Sequence, residues 1–193
     1  TVTFGGDTTE GSPVKAFVKE LAPDMDLVSF NFYCIDSNSL ITTDAPRWQS
    51  DIDTLIDWAD GLPIFFQELG CPAGWADTGD ENAGREKSIN ASPEKQSEFF
   101  QFMMRQLAER EELRAATIFQ LYDWSPGLIN FFVETFPVGE EETVVELSIQ
   151  RLSEWLGSTG MCRWSDGSCR EAWDIYLAGV ADLASQRDTL GGP

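Results

Sequence analysis

The chain has 193 residues, of which 42% are hydrophobic and 12% aromatic, enough apolar material for one domain with its own core and too much for disorder or a coiled coil. Thirty-three acidic residues against thirteen basic ones give a formal charge of -20, which argues against nucleic acid and anionic membranes as partners, because phosphate binding rests on Lys and Arg. There is no histidine, so a Ser-His-Asp triad, a Cys-His pair and histidine-ligated zinc are excluded within the chain, and carboxylates remain for acid–base work.

No run approaches the ~18 to 20 apolar residues of a membrane helix. Thr1-Val2-Thr3-Phe4 lacks the basic start and apolar core of a signal peptide. The acidity is spread along the chain, as in secreted or salt-adapted proteins, and an extracellular location with the signal already removed is the expectation.

In chain order, short apolar runs alternate with helical stretches. Thr1 to Gly5 precedes Pro13 to Leu21; Asp26 to Tyr33 precedes Pro46 to Ala59; Leu62 to Glu68 precedes Pro93 to Glu111; Ala115 to Trp124 precedes Val144 to Leu156. These are four consecutive βα units, about 1–21, 26–60, 62–111 and 115–157, with a closing turn and C-terminal helix over about 160–186, all in one domain, 1–193. Such alternation predicts a parallel α/β sheet with crossover helices. Ser12-Pro13, Ala45-Pro46 and Ser92-Pro93 each place Pro at a first helical position, the first and last after a Ser cap. Phe99, Phe102, Met103 and Leu107 form a core stripe at helical spacing.

The second strand alternates. Val28, Phe30 and Phe32 point one way and Ser29, Asn31 and Tyr33 the other, an apolar and a polar face. A strand between two helix layers would be apolar on both faces, so a barrel suits this pattern better than a doubly wound sheet. The fourth strand repeats it, with Phe119 and Leu121 opposite Gln120, Tyr122 and Trp124. In the third, Glu68 ends an apolar strand just before a Gly/Pro loop, where a parallel α/β enzyme keeps its catalytic groups; simple alternation puts it on the face of Ile64 and Phe66. Residues 71–92 and 125–143 read as long loops leaving the same end, candidate walls of a cleft. Asn90-Ala91-Ser92 matches a glycosylation acceptor, but Pro93 follows and the pattern is common by chance.

Four cysteines, at 34, 71, 162 and 169, contain no Cys-x-x-Cys pair, which excludes a zinc ribbon and a thioredoxin motif. Cys162 and Cys169 flank a segment with an Asp166-Gly167 turn signal, and Cys34 and Cys71 each follow a strand end. Two disulfides and four buried thiols are both open readings.

The set Asp26-Leu27-Val28-Ser29-Phe30-Asn31-Phe32-Tyr33, Pro63-Ile64-Phe65-Phe66-Gln67-Glu68-Leu69-Gly70, Tyr122-Asp123-Trp124 and Gly160 through Trp173 resembles the C-terminal half of clan A retaining glycoside hydrolases. The resemblance implies strands five to eight of a (β/α)8 TIM barrel, hence a half barrel completed by a second half. It implies carbohydrate as partner, no cofactor and no metal. Glu68 resembles the family nucleophile and Tyr33 the tyrosine that hydrogen-bonds it, with Asn31 on the same inward face. Trp124 resembles the aromatic platform under the sugar, with Tyr122 and Gln120 beside it as candidate substrate contacts, since sugar C–H faces stack on an indole.

One departure is large. Retaining hydrolysis needs a second carboxyl about 5–5.5 Å from the nucleophile; in the family it follows an Asn, and no Asn-Glu occurs in this chain. A homodimer would close eight strands by a twofold axis and bring Asp123 of one copy toward Glu68 of the other as acid/base, provided a bulge re-aims it; a different complementary half barrel is the other solution. The alternative function is a non-catalytic carbohydrate-binding or scaffold half barrel. A metal-dependent or Schiff-base enzyme on the same barrel finds no clustered ligand spacing and no lysine at a strand end.

Overall fold

The computed structural model describes residues 3–4, 13–35, 45–78, 87–135 and 150–189. Four parallel strands lie in chain order: β1 (Thr3–Phe4), β2 (Val28–Tyr33), β3 (Ile64–Gly70) and β4 (Leu113–Ile118). The crossovers carry α1 (Pro13–Leu21), α2 (Ala45–Ala59) and α3 (Pro93–Glu109). After β4 come α4 (Pro126–Thr135), α5 (residues 150–156) and α6 (Glu171–Thr189). Each strand lies beside its predecessor with no reversal, unlike the switched order of a doubly wound sheet.

The core fills one face of that sheet. Phe30, Ile64 and Phe66 are fully buried with Ile52 and Leu55 of α2 and Phe99, Phe100 and Met103 of α3. Phe32 packs on Phe66 at 5.5 Å and on Phe99 at 6.0 Å, and Trp48 of α2 meets Phe99 at 5.3 Å. Helices α2 and α3 therefore cover the same face, which explains why alternate residues of β2 are apolar. The helix α3 starts where its signals say: Ser92 caps it by accepting the Lys95 N–H at 3.3 Å, and Pro93 occupies the first turn.

Strand β3 carries an extra residue, and both neighbours register it. Against β2, Phe30 pairs with Phe66 but Asn31 pairs with Glu68; against β4, Phe66 pairs with Ala116 and Leu69 with Ile118. A bulge at Gln67 shifts the alternation by one. Glu68 thus leaves the face of Ile64 and Phe66, where simple alternation put it, and joins Asn31 and Tyr33 on the polar face. The Thr117 hydroxyl donates to the Gln67 carbonyl and the Ser29 hydroxyl reaches the Gln67 amide oxygen at 3.5 Å, tying the bulge to both flanking strands.

Two further expectations change. The fourth strand ends at Ile118, not Trp124, because the chain beyond it pairs with a different segment. Cys162 N–H donates to Leu121 O at 2.8 Å, Asp123 N–H donates to Cys162 O at 3.0 Å, and Tyr122 bridges Cys162 in parallel. Within the expected loop 125–143, Pro126–Thr135 is helical: Ser125 Oγ accepts the Leu128 N–H at 3.2 Å, so Pro126-Gly127 is a capped first turn and not a breaker. Ser12, residues 79–86 and residues 136–149 lie outside the described residues.

Cys34 is bonded to Cys71, joining the ends of β2 and β3, and Cys162 to Cys169, closing the hairpin around Asp166-Gly167. Gly160 allows the close approach that this end of the molecule needs: a Cβ there would lie 2.2 Å from the Asp123 nitrogen and 2.4 Å from the Tyr122 carbonyl carbon. Replacing Gly160 with Ala should destabilise the fold by about 2–3 kcal/mol, as overpacking against backbone does. Gly167, with φ +72° and open space around it, should lose only about 1 kcal/mol as Ala. Urea denaturation of the two variants checks the order; equal losses would mean that the close approach is not constraining.

Candidate functional site

The polar face of β2 and β3 gathers three of the residues singled out in the sequence. Asn31 Nδ2 donates to Glu68 Oε2 at 3.0 Å, and the Tyr33 hydroxyl donates to the same oxygen. Their convergence follows from the bulge, which sets Asn31 directly opposite Glu68. The contact to Glu68 fixes the Asn31 amide orientation, since turning it over would set oxygen against the carboxylate.

Three elements wall in the Tyr33 ring. Phe119 stands edge-on at 5.8 Å and Trp155 of α5 edge-on at 5.0 Å. Gly70 lies beneath, where a Cβ would meet the Tyr33 ring at 3.0 Å and the Thr159 methyl at 2.9 Å. The disulfide from Cys34, the next residue along, anchors the strand end. Burial first, and then the Glu68 carboxylate, push the Tyr33 phenol well above the ordinary tyrosine value.

Trp124 is half-buried, its ring edge-on to Phe132 of α4 at 5.7 Å and its backbone N–H donating to the Leu156 carbonyl at 3.2 Å. Gln120 Nε2 donates to that same carbonyl at 2.8 Å, and Tyr122 is 47% exposed. These three are organised around the end of α5, next to Trp155, and make no hydrogen bond to Glu68 among those described.

Asp123 has a different place from the one expected. It is 3% exposed, accepts two hydrogen bonds from Arg170 at 2.6 and 3.0 Å, and accepts the Gly160 N–H at 2.9 Å. Burial pushes its carboxyl up, opposed by Arg170. Arg170 also reaches Asp77 at 2.5 Å, and Asp77 takes a second pair from Arg163 at 2.6 Å. Burial works against the Arg170 charge, but the two carboxylates outweigh it and raise the group above its usual value. A carboxylate held by a buried guanidinium acts as a structural strut, and this is the place that Asp123, expected as acid/base toward a partner's sugar, takes within the chain.

Glu154 was not singled out in the sequence. It is fully buried and accepts Trp75 N–H at 3.1 Å, Ser88 N–H at 2.6 Å, Ser88 Oγ–H at 3.0 Å and Ile89 N–H at 3.1 Å. It pins both described ends of the loop after β3. Glu154 and Trp155 sit in a stretch that the sequence marks only as helical; four donors converging from a distant loop leave no local sequence signal.

With this geometry in place, the chain can be set beside solved structures. Faecalibacterium prausnitzii β-glucuronidase matches with a TM-score of 0.55 at 16% identity, over 94% of this chain and 25% of that one. Thermotoga maritima xylanase 10B matches with 0.50 at 13%, over 90% and 43%. Bifidobacterium dentium β-glucuronidase, complexed with coumarin-3-O-glucuronide, matches with 0.50 at 16%, over 81% and 21%. The fold is glycosidase-like. The chain spans less than half the length of each of these proteins, and at such identities the likeness concerns the fold alone. No protein-family model matches the chain, and no curated protein matches it in sequence.

The Tyr33 environment has a measurable consequence. An unfolded tyrosine ionises near pH 10, whereas folded Tyr33 keeps its proton to higher pH, so above about pH 10 the unfolded state binds fewer protons and stability falls as pH rises. The slope from this group is at most about 1.4 kcal/mol per pH unit, and smaller because the phenol is partly solvated. Urea midpoints between pH 9 and 11 should fall less steeply for Tyr33→Phe than for the parent chain; parallel slopes would mean that the phenol is not held as described.

Proposed function

We propose that this chain is half of a (β/α)8 glycosidase acting on a β-linked poly- or oligosaccharide by retaining double displacement, with Glu68 as nucleophile. The observation that carries the reading is the Glu68 carboxylate at a strand's carboxyl end, held on one oxygen by Asn31 and Tyr33. That leaves Oε1 for the anomeric carbon. In the first step Glu68 attacks that carbon, the glycosidic C–O bond breaks, and the leaving oxygen takes a proton from a second carboxyl group. In the second step the same group removes a proton from water, which cleaves the glycosyl ester and frees Glu68. Trp124 offers its face to the sugar, flanked by Tyr122 and Gln120.

We place the second carboxyl on a complementary half barrel. Several observations support this. Sheet order β1-β2-β3-β4 leaves an outer edge on β1 and on β4 among the described residues, and edges are what a closed barrel removes. A groove of about 410 Å³ lined by Leu107, Ala116, Tyr176, Val180 and Leu183 opens along β4, with Leu177 and Val180 of α6 exposed. Because Arg170 occupies Asp123, a second copy of this chain would bring no acid through that residue, which favours a different half over a homodimer. Two disulfides support an extracellular setting.

The nucleophile can be tested without its acid. An aryl glycoside with a strongly activated leaving group, such as dinitrophenolate, departs with little protonation. The chain should therefore release a stoichiometric burst of phenolate, gain one glycosyl mass on the peptide holding Glu68, and then turn over slowly, because general base help of about 10²- to 10⁴-fold is missing. Glu68→Gln should give neither burst nor mass. Sugar binding without a burst would favour a carbohydrate-binding half barrel instead, and the absence of both would end the reading.

A further inference from the structure

We propose that Trp155, delivered by α5, is a positioning residue whose indole ring holds the Tyr33 phenol against Glu68. Its importance for catalysis rests on the glycosidase reading; its geometry does not. The indole lies 5.0 Å from the Tyr33 ring at 84° and 4.9 Å from Phe119, so it closes the aromatic enclosure on the side that the sheet cannot reach. Its backbone carbonyl accepts Ser158 N–H at 3.2 Å and the Thr159 hydroxyl. That turn sets the Thr159 methyl over Gly70, against the same tyrosine. The next residue, Leu156, receives the Trp124 N–H and the Gln120 amide. One helix end thus serves the nucleophile's hydrogen-bond donor and the expected sugar platform together.

The indole Nε1–H is buried and has no hydrogen-bond partner among the described residues. The residue therefore contributes a ring, and Trp155→Phe removes no hydrogen bond while keeping an aromatic face toward Tyr33. That makes Phe the conservative variant and Ala or Leu the disruptive ones.

Nitration by tetranitromethane reads the phenol directly, since the reagent attacks accessible phenolate. All four cysteines are in disulfides, so no thiol competes. At pH 8, with sites mapped by mass spectrometry, Tyr33 should be protected in the parent chain and in Trp155→Phe. The exposed Tyr122 should react in every variant. In Trp155→Ala and Trp155→Leu, Tyr33 nitration should rise about tenfold or more, because each unit by which the phenol falls toward its ordinary value raises phenolate tenfold. Tyr176, stacked on Trp173 at 5.8 Å, reports global unfolding and should stay unchanged; if Ala unfolds the chain, the Leu variant decides. Tyr33 protected in the folded Ala or Leu variant, or nitrated equally in the Phe variant, would overturn the proposal. Because no sugar is involved, failure of the burst experiment with success here would sink the glycosidase reading and leave the positioning role intact.

Discussion

The bulge at Gln67 is the constraint on which the rest depends. Without it, the alternation of β3 would send Glu68 into the layer of Phe66, Phe32 and Phe99, where an unpaired carboxylate has no place. With it, one extra residue moves the charge across the sheet to two donors already waiting on β2. Backbone geometry thus separates the apolar face that holds α2 and α3 from the polar face that carries Asn31, Tyr33 and Glu68. Tyr33 and Asn31 could take the same positions in any β2 strand, but they meet a carboxylate only because β3 is out of step.

The second organising force is charge buried at the end of the chain. Arg170 sits between Asp123 and Asp77, with side chains 1%, 2% and 15% exposed, and so joins the segment after β4, the loop after β3 and the start of α6. Removing one member of such a pair leaves a bare charge and costs about 3–5 kcal/mol, far more than the pair contributes over an apolar replacement. Its value here is geometric. Together with Glu154, which gathers four donors from the loop after β3, it fixes α5 and the turn that follows, and hence Trp155, Leu156 and Trp124.

Sequence reading reached the parts of this protein that repeat or alternate. The βα order, the Pro13, Ala45-Pro46 and Pro93 helix starts and the two-faced β2 strand follow from period and cap chemistry, and the match of motifs singled out Asn31, Tyr33 and Glu68. The bulge could not be read, because Phe65-Phe66-Gln67-Glu68-Leu69 fits simple alternation equally well and only the pairing partners reveal the extra residue. The end of β4 was overextended because Phe119 through Trp124 has strand-like composition, while its partner, Cys162, is forty residues away. The helix α4 was hidden by Pro126-Gly127, a pair that marks a loop unless a serine caps it. The ion pair of Asp123 was illegible for a related reason: the arginine that holds it, Arg170, lies far along the chain.

The net charge of -20 bears on self-association. Two copies bring -40 to one assembly, and the repulsion between them opposes association most strongly at low ionic strength, where the screening length is long. On the reading proposed above, a complementary half of different sequence need carry no such charge, and it would place an acid opposite Glu68 without dismantling the Arg170 network. The candidate site itself is heavily braced. A disulfide, a bulge and an aromatic enclosure hold Glu68 and Tyr33 in register from within this chain. Under the glycosidase proposal, such preorganisation is what would let a docked carboxyl group work together with Glu68.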